Sequence, residues 1–215
     1  MRAILFSQME PPSAADEDFN DWYNTEHIPI RLALRGMELA RRYTALAGTP
    51  KYLAIYEAAD LGLFDSPGYD AVRKNPSERT RRMLNEVTGF TRFICAEISD
   101  IGASSKEGRY LSVNAFVVPK DAETEFNDWY ETEHIPRLLR VPGWLRVRRY
   151  VVTDGEGAAW THFTLHELAD PEEMNSPARA YARSGEKRDR LVGNAWFDQS
   201  GRWLYRQIYE SKKQA

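Results

Sequence analysis

The 215-residue sequence predicts an α+β fold of two tandem β-α-β-β-α-β units, on three observations. The ten residues NDWYNTEHIP at 20–29 return as NDWYETEHIP at 127–136, 107 positions later, with Asn24 replaced by Glu131. Around this motif, residues 19–43 and 126–150 share 15 identities in 25 positions, both ending in Arg-Arg-Tyr. The same order of β-rich runs and helix signals can then be read in each half. Self-similarity at one long period means a repeated structural unit.

Taken in order, the β-rich runs 3–9 and 110–118 open the two units, and acidic residues suited to a helix start follow them. The motif occupies this first helix. Its proline, Pro29 or Pro136, lacks an N–H and clashes with the carbonyl four residues back, so a kink or helix end is expected there. Glycine follows as Gly36 or Gly143, then a second strand ending in Arg-Arg-Tyr, then a third at 52–57 or 161–167. Ser66-Pro67 and Ser176-Pro177 each supply an N-cap and a first-turn proline for a second helix. Runs 91–98 and 202–208 close the units as a last strand. The order is the split-βαβ, ferredoxin-like one, with helices on one sheet face and the other face left to be covered. The small and polar run 102–108 marks the junction, giving repeats 1–104 and 105–215.

Composition narrows the function classes. Hydrophobic residues at 42% and charged residues at 28% are those of a packed domain. With 29 basic and 32 acidic residues interspersed, there is no nucleic-acid footprint and no polybasic membrane stretch. The lone Cys95 allows no internal disulfide and fits a reducing compartment. No apolar run reaches the ~20 residues needed to span a bilayer, and the N-terminal run lacks the features of a signal peptide. A cytoplasmic protein with no membrane or nucleic-acid partner is expected. Phosphate-loop and G-x-S-x-G patterns are absent.

The motif FNDWYNTEHIP, followed by a glycine turn and a strand, resembles the first helix of the dimeric α/β-barrel superfamily, particularly its EthD-like group. Both halves carry it, at 19–29 and 126–136. The resemblance implies a tandem fusion that builds an intramolecular dimeric α/β barrel, sheet against sheet, with room for a homodimer of the fused pair. It does not fix the chemistry, because the superfamily hosts monooxygenases, isomerases, cyclases, decarboxylases and haem enzymes.

At helical spacing Phe19, Trp22, Tyr23, Glu26 and Ile30 form one stripe, so Glu26 lies among aromatics and needs a partner. Arg42 and, in the second copy, Arg149 are the expected partners of Glu26 and Glu133. His27 and His134, at the helix end, titrate near neutrality and suit general acid/base work. His134, Glu133, His27 and Glu26 are therefore the catalytic candidates. Substrate-binding candidates are Trp129, Tyr130, Asn114, His162, His166, Arg149, Trp22 and Tyr23. Three of the four histidines lie in the second half, and Asn114 and Ser112 add polarity there, so that half is preferred as the working site. His162 and His166 stand about 13 Å apart along a strand, too far to share a metal ion, and no metal or other cofactor is expected. Two classes of function follow. One is a cofactor-independent lyase, isomerase or cyclase acting on a hydrophobic, aromatic or polyketide-like molecule. The other is a non-catalytic ligand-binding or stress-related protein, with a monooxygenase or haem-binding member as a further alternative. A pocket of convergent polar groups around His134 favours the enzyme; a packed interior with His134 bonded to backbone favours the binder.

Overall fold

β1 (Ala3–Glu10) and β3 (Tyr52–Ala58) are buried along almost their whole length, as the centre of a sheet requires. The computed structural model describes residues 1–213. In chain order the first half continues with α1 (Asp16–Trp22), a π-helical turn (Tyr23–His27), α2 (Ile28–Leu32) and β2 (Met37–Ala47). After β3 come α3 (Pro67–Lys74), α4 (Glu78–Glu86) and β4 (Thr88–Gly102). The second half gives β5 (Tyr110–Phe116), α5 (Glu123–Trp129), a second π-helical turn (Tyr130–His134), α6 (Ile135–Leu138) and β6 (Trp144–Glu156). It ends with β7 (His162–Leu168), α7 (Pro177–Ala182), α8 (Glu186–Leu191), α9 (Ala195–Asp198) and β8 (Gly201–Lys212).

The chain is α+β and divides into two compact units whose limits interleave. One contains Met1–Glu97, Thr153–Ala158 and the segment from Gln207; the other contains Ile98–Val152 and Ala159–Arg206. β4 and β8 each contribute one end to either unit. Hydrogen-bonded strand order is β4-β1-β3-β2-β8 in the first and β8-β5-β7-β6-β4 in the second. The two registers repeat. β1 runs antiparallel to β3 with Ser7 opposite Ala54, as β5 runs antiparallel to β7 with Asn114 opposite Thr164.

The serine-proline starts behave as expected. Ser66 and Ser176 cap α3 and α7, their hydroxyls accepting from the backbone N–H of Tyr69 and Arg179 at 3.2 and 3.1 Å. Gly36 and Gly143 turn the chain from helix to strand at φ +93° and +75°, a region open to glycine and costly for other residues. Each glycine carbonyl then accepts from the backbone after the third strand, Ala59 or Ala169.

Two features differ from the sequence expectation. Where one second helix was expected per unit, there are two in the first half and three short ones in the second. Nor does the motif helix stop at its proline. The turn before Pro29 widens instead, with Ile28 N–H bonding to Tyr23 O and the helix running on to Leu32; Ile135 and Tyr130 repeat this. One extra residue in the turn means that the absent proline N–H is not needed. π-turns of this kind are frequent at functional sites. No helix among the described residues is long and apolar enough to cross a membrane.

Candidate functional site

The π-turn decides where the motif side chains go. It brings His27 back onto the preceding residues, its ring 4.3 Å from that of Trp22 and 4.8 Å from that of Tyr23. In the second copy His134 stacks on Trp129 at 4.5 Å and 20°. Trp22, Tyr23, Trp129 and Tyr130 are all buried, as a packed helix face demands.

The glutamates brace the next helix. The Glu26 carboxylate accepts from the hydroxyls of Ser77 and Thr80, and Thr80 Oγ1 in turn accepts from the Trp22 indole N–H at 3.1 Å. Ser77 is also the N-cap of α4. The Glu133 carboxylate accepts from the Arg188 backbone N–H in α8 at 3.3 Å and pairs with Arg137 at 3.6 Å. The expected Glu26–Arg42 and Glu133–Arg149 pairs are therefore replaced by others. Arg42 donates to Asn20 and Asn24 side chains at 2.7 and 2.8 Å, and Arg149 to Asn127 and Glu131. Both guanidiniums lie 4.4 Å over the motif tyrosine, Tyr23 or Tyr130. The strand directs the arginines one turn earlier on the helix than the glutamates.

That geometry gives meaning to the one changed motif position. Glu131 supplies a carboxylate to buried Arg149 at 2.6 Å, whereas Asn24 leaves buried Arg42 with amide oxygens only. The first copy thus keeps an uncompensated positive charge behind Tyr23, and burial lowers the Arg42 pKa.

The first unit also holds a cavity of about 480 Å³. Leu5, Met9, Ile30 and Leu84 give it an apolar lining, and His27, Tyr23, Tyr56, Tyr69, Ser7, Arg31 and Arg92 bring polar groups to its wall. Neither ring nitrogen of His27 has a hydrogen-bond partner among the described residues. Burial first, then the positive charges of Arg31 and Arg42, hold its pKa well below the usual 6.5, so the imidazole is neutral at pH 7. Tyr23 and Tyr56 are pushed up by burial and stay protonated. Two buried donors in this wall lack a well-formed hydrogen bond, Arg31 Nε and the Tyr56 hydroxyl, the latter beside the Tyr23 hydroxyl. Arg31 lies over the Tyr56 ring at 5.6 Å.

The second-half candidates are held differently. His134 Nδ1 donates to the Ala182 carbonyl at 3.1 Å, and burial presses the pKa of the ring down to about 3. His162 sits against Phe126, its Nδ1 3.0 Å from Thr161 Oγ1, with a pKa lowered to about 4 by burial and by Arg149. Both nitrogens of His166 are engaged. The Trp144 indole N–H donates to Nδ1 at 3.3 Å, and the Asn114 amide lies 3.1 Å from Nε2. An indole can only donate, so the neutral ring carries its proton on Nε2 and Asn114 must turn its oxygen toward it. Trp196 and Phe197 of α9 add rings against Phe126 and Trp129, which the first copy lacks. Backbone bonding of His134 is the arrangement the sequence reading gave for a structural role. Of the two motif imidazoles, His27 in the first half is the one that lines a cavity.

Tyr56, Tyr69, Arg31, Arg92, Ser77 and Thr80 escaped the sequence reading as site residues. The signal for Tyr56 was available in its alternation with Ala54 and Tyr52 on one strand face. Among the described residues no three potential ligands gather as a metal site. Cys95 is buried, which raises its thiol pKa, and has no role in the cavity.

No family model matches the chain, and neither does any curated protein. Solved structures do. An anthrone oxidase-like protein aligns over 100% of this chain and 94% of its own, with TM-score 0.74 and 11% identity. A candidate monooxygenase from Lactobacillus acidophilus NCFM aligns over 99% and 96%, with TM-score 0.65 and 10% identity. A chlorite dismutase variant from Candidatus Nitrospira defluvii, in complex with cyanide, aligns over 97% and 91%, with TM-score 0.62 and 11% identity. At such identities the likeness establishes a shared fold.

Proposed function

We propose that this chain is a small-molecule enzyme that takes a proton from a hydrophobic, aromatic substrate in the first-half cavity, with His27 as the base. The observation that carries the reading is a neutral imidazole with both nitrogens unbonded, on the wall of a mostly apolar cavity. A volume of about 480 Å³ suits a ligand of two or three fused rings. The free-state imidazole is a weak base because burial first, then Arg31 and Arg42, oppose its protonation. The same two charges, with the Tyr56 hydroxyl as donor, stabilise an enolate or phenolate formed beside it. Transfer therefore creates an anion where positive charge already stands, and that anion offsets the cost of the imidazolium.

Proton abstraction of this kind opens lyase, isomerase and cyclase reactions, and it needs no cofactor. It also opens reactions in which the substrate carbanion meets oxygen, the fate favoured by the names of the anthrone oxidase-like and monooxygenase neighbours. The EthD-like resemblance of the motif is compatible with each of these. Glu26 positions rather than reacts: through Thr80 it fixes the Trp22 indole against the His27 ring.

One observation also favours a haem-binding reading: the unbonded ring of His27 is the single imidazole on the cavity wall and suits an axial ligand. Haem would supply oxidant chemistry there. The test is a panel of acidic phenols and anthrones followed by absorbance and by an oxygen electrode, with a parallel haemin titration read at the Soret band. Turnover should be lost in His27→Ala while the fold melts normally. With His27 neutral throughout, kcat/KM should show no falling limb near pH 6.5 as pH is lowered. Turnover that survives His27→Ala would sink the assignment, and a stoichiometric Soret shift lost in that variant would replace it with the haem reading.

A further inference from the structure

Register carries the lining of the first cavity onto the second copy, residue by residue. A row across the first sheet runs Arg92, Ser7, Ala54, Arg42, each directly opposite the next. The corresponding row in the second sheet runs Arg202, Asn114, Thr164, Arg149. Directly paired residues on neighbouring strands project to the same face, so each row is one surface. The matched helix starts at Ser66 and Ser176 add two more equivalences, Tyr69 with Arg179 and Arg73 with Arg183.

The first copy neutralises the Arg92 end of its row. Arg92 donates to the Tyr69 hydroxyl at 3.3 Å and pairs with Asp154 at 3.1 Å. In the second copy arginine takes the place of that tyrosine, and the acid has no counterpart. Arg179 donates to the Met174 carbonyl at 2.7 Å and Arg202 to Ser200 Oγ at 3.0 Å. Among the described residues no carboxylate pairs with Arg179, Arg183 or Arg202. Arg179 and Arg183 stand four residues apart at the end of α7, where like charges repel. Burial, with Arg183 and Arg202 nearby, lowers the Arg179 pKa to about 10. In the same row the Thr164 hydroxyl, 1% exposed, makes no well-formed hydrogen bond and has the Tyr130 hydroxyl beside it.

A guanidinium cluster without counter-charge is an incomplete arrangement. We infer that the second copy holds an oxyanion-binding site, built of Arg179, Arg183 and Arg202 with Asn114 and Thr164, for a small carboxylate or phosphate compound. The duplication has thus produced two different sites: an apolar cavity with an unbonded base in the first copy, and a cationic anion receptor in the second.

The test is a titration of the full chain with sodium phosphate and, separately, sodium benzoate, at ionic strength held constant with sodium chloride. One of the two should raise the melting temperature saturably, by about 5–10 °C at ~100 times Kd. In Arg179→Gln and in Arg202→Gln the apparent Kd should rise at least about tenfold, the scale of one lost charge-assisted bond. Without anion both variants should melt at or above the parent, because each removes an uncompensated charge. Arg73→Gln, at the equivalent place in the first copy, should keep the response. A response to phosphate alone marks a phosphorylated ligand, and a response to benzoate a carboxylate on an apolar body. The inference is overturned if neither anion acts beyond sodium chloride, or if the response persists in both glutamine variants. Should Arg179→Gln fail to fold, Arg202→Gln, an exposed position, decides alone.

Discussion

Replacing His134 with alanine tests directly whether this imidazole is structural. The change strands the Ala182 carbonyl that now accepts its Nδ1–H at 3.1 Å, which costs about 1–3 kcal/mol for a buried group. It also removes a ring stacked on Trp129 at 4.5 Å, a contact of about 0.5–1.5 kcal/mol. Together the loss is about 3 kcal/mol at pH 7, or about 6–12 °C in Tm for a chain of this size. Acid changes the comparison. The folded pKa of about 3 lies below the unfolded 6.5, so the unfolded chain binds this proton first and stability falls as pH drops below 6.5, down to about 3. Between pH 7 and pH 5 the parent loses about 2 kcal/mol through this one group, and the alanine variant does not. The gap between the two should then shrink to about 1 kcal/mol at pH 5. Urea and thermal melts at both pH values measure it, with turnover of the folded variant as the companion assay. A gap that stays constant or widens with acid would refute the buried, neutral imidazole. Abolished turnover in a normally melting variant would return the chemistry to the second half.

The other predictions concern the first copy. Asn24→Glu should give Arg42 the carboxylate that Arg149 already has, relieving the charge that opposes His27 protonation; NMR titration should find the His27 pKa raised relative to the parent. Thr80→Val strands the buried Trp22 indole N–H and should cost about 1–3 kcal/mol in urea melts, with a lower kcat as the His27 ring loses its brace. Tyr56→Phe removes a buried hydroxyl that has only the Tyr23 hydroxyl beside it, so the ligand-free melt should change little. Ligand affinity should nevertheless fall about tenfold by calorimetry if that hydroxyl donates to the substrate anion.

Much of this architecture was written in local pattern. The repeat, the strand order within each half, the Ser66 and Ser176 caps and the Gly36 and Gly143 turns are short-range signals, fixed by backbone sterics and nearest-neighbour hydrogen bonds. The burial of the motif aromatics followed from helical spacing alone. Partners across the fold were beyond such signals. Whether Glu26 meets Arg42 or Ser77 depends on which turn of the helix the strand arginine reaches. The π-turn, invisible to a 3.6-residue period, shifts that phase. The near-identical motifs could not tell which copy holds the unbonded imidazole, because α7 and α9 make the difference: the Ala182 carbonyl accepts from His134, while the corresponding space beside His27 stays open. The sequence by itself determined a motif present in both halves, with one motif histidine in each. Tertiary packing alone decided that one imidazole is tied to backbone and the other faces a cavity, because a hydrogen-bond partner 48 residues away in the chain becomes a neighbour only when the chain has folded.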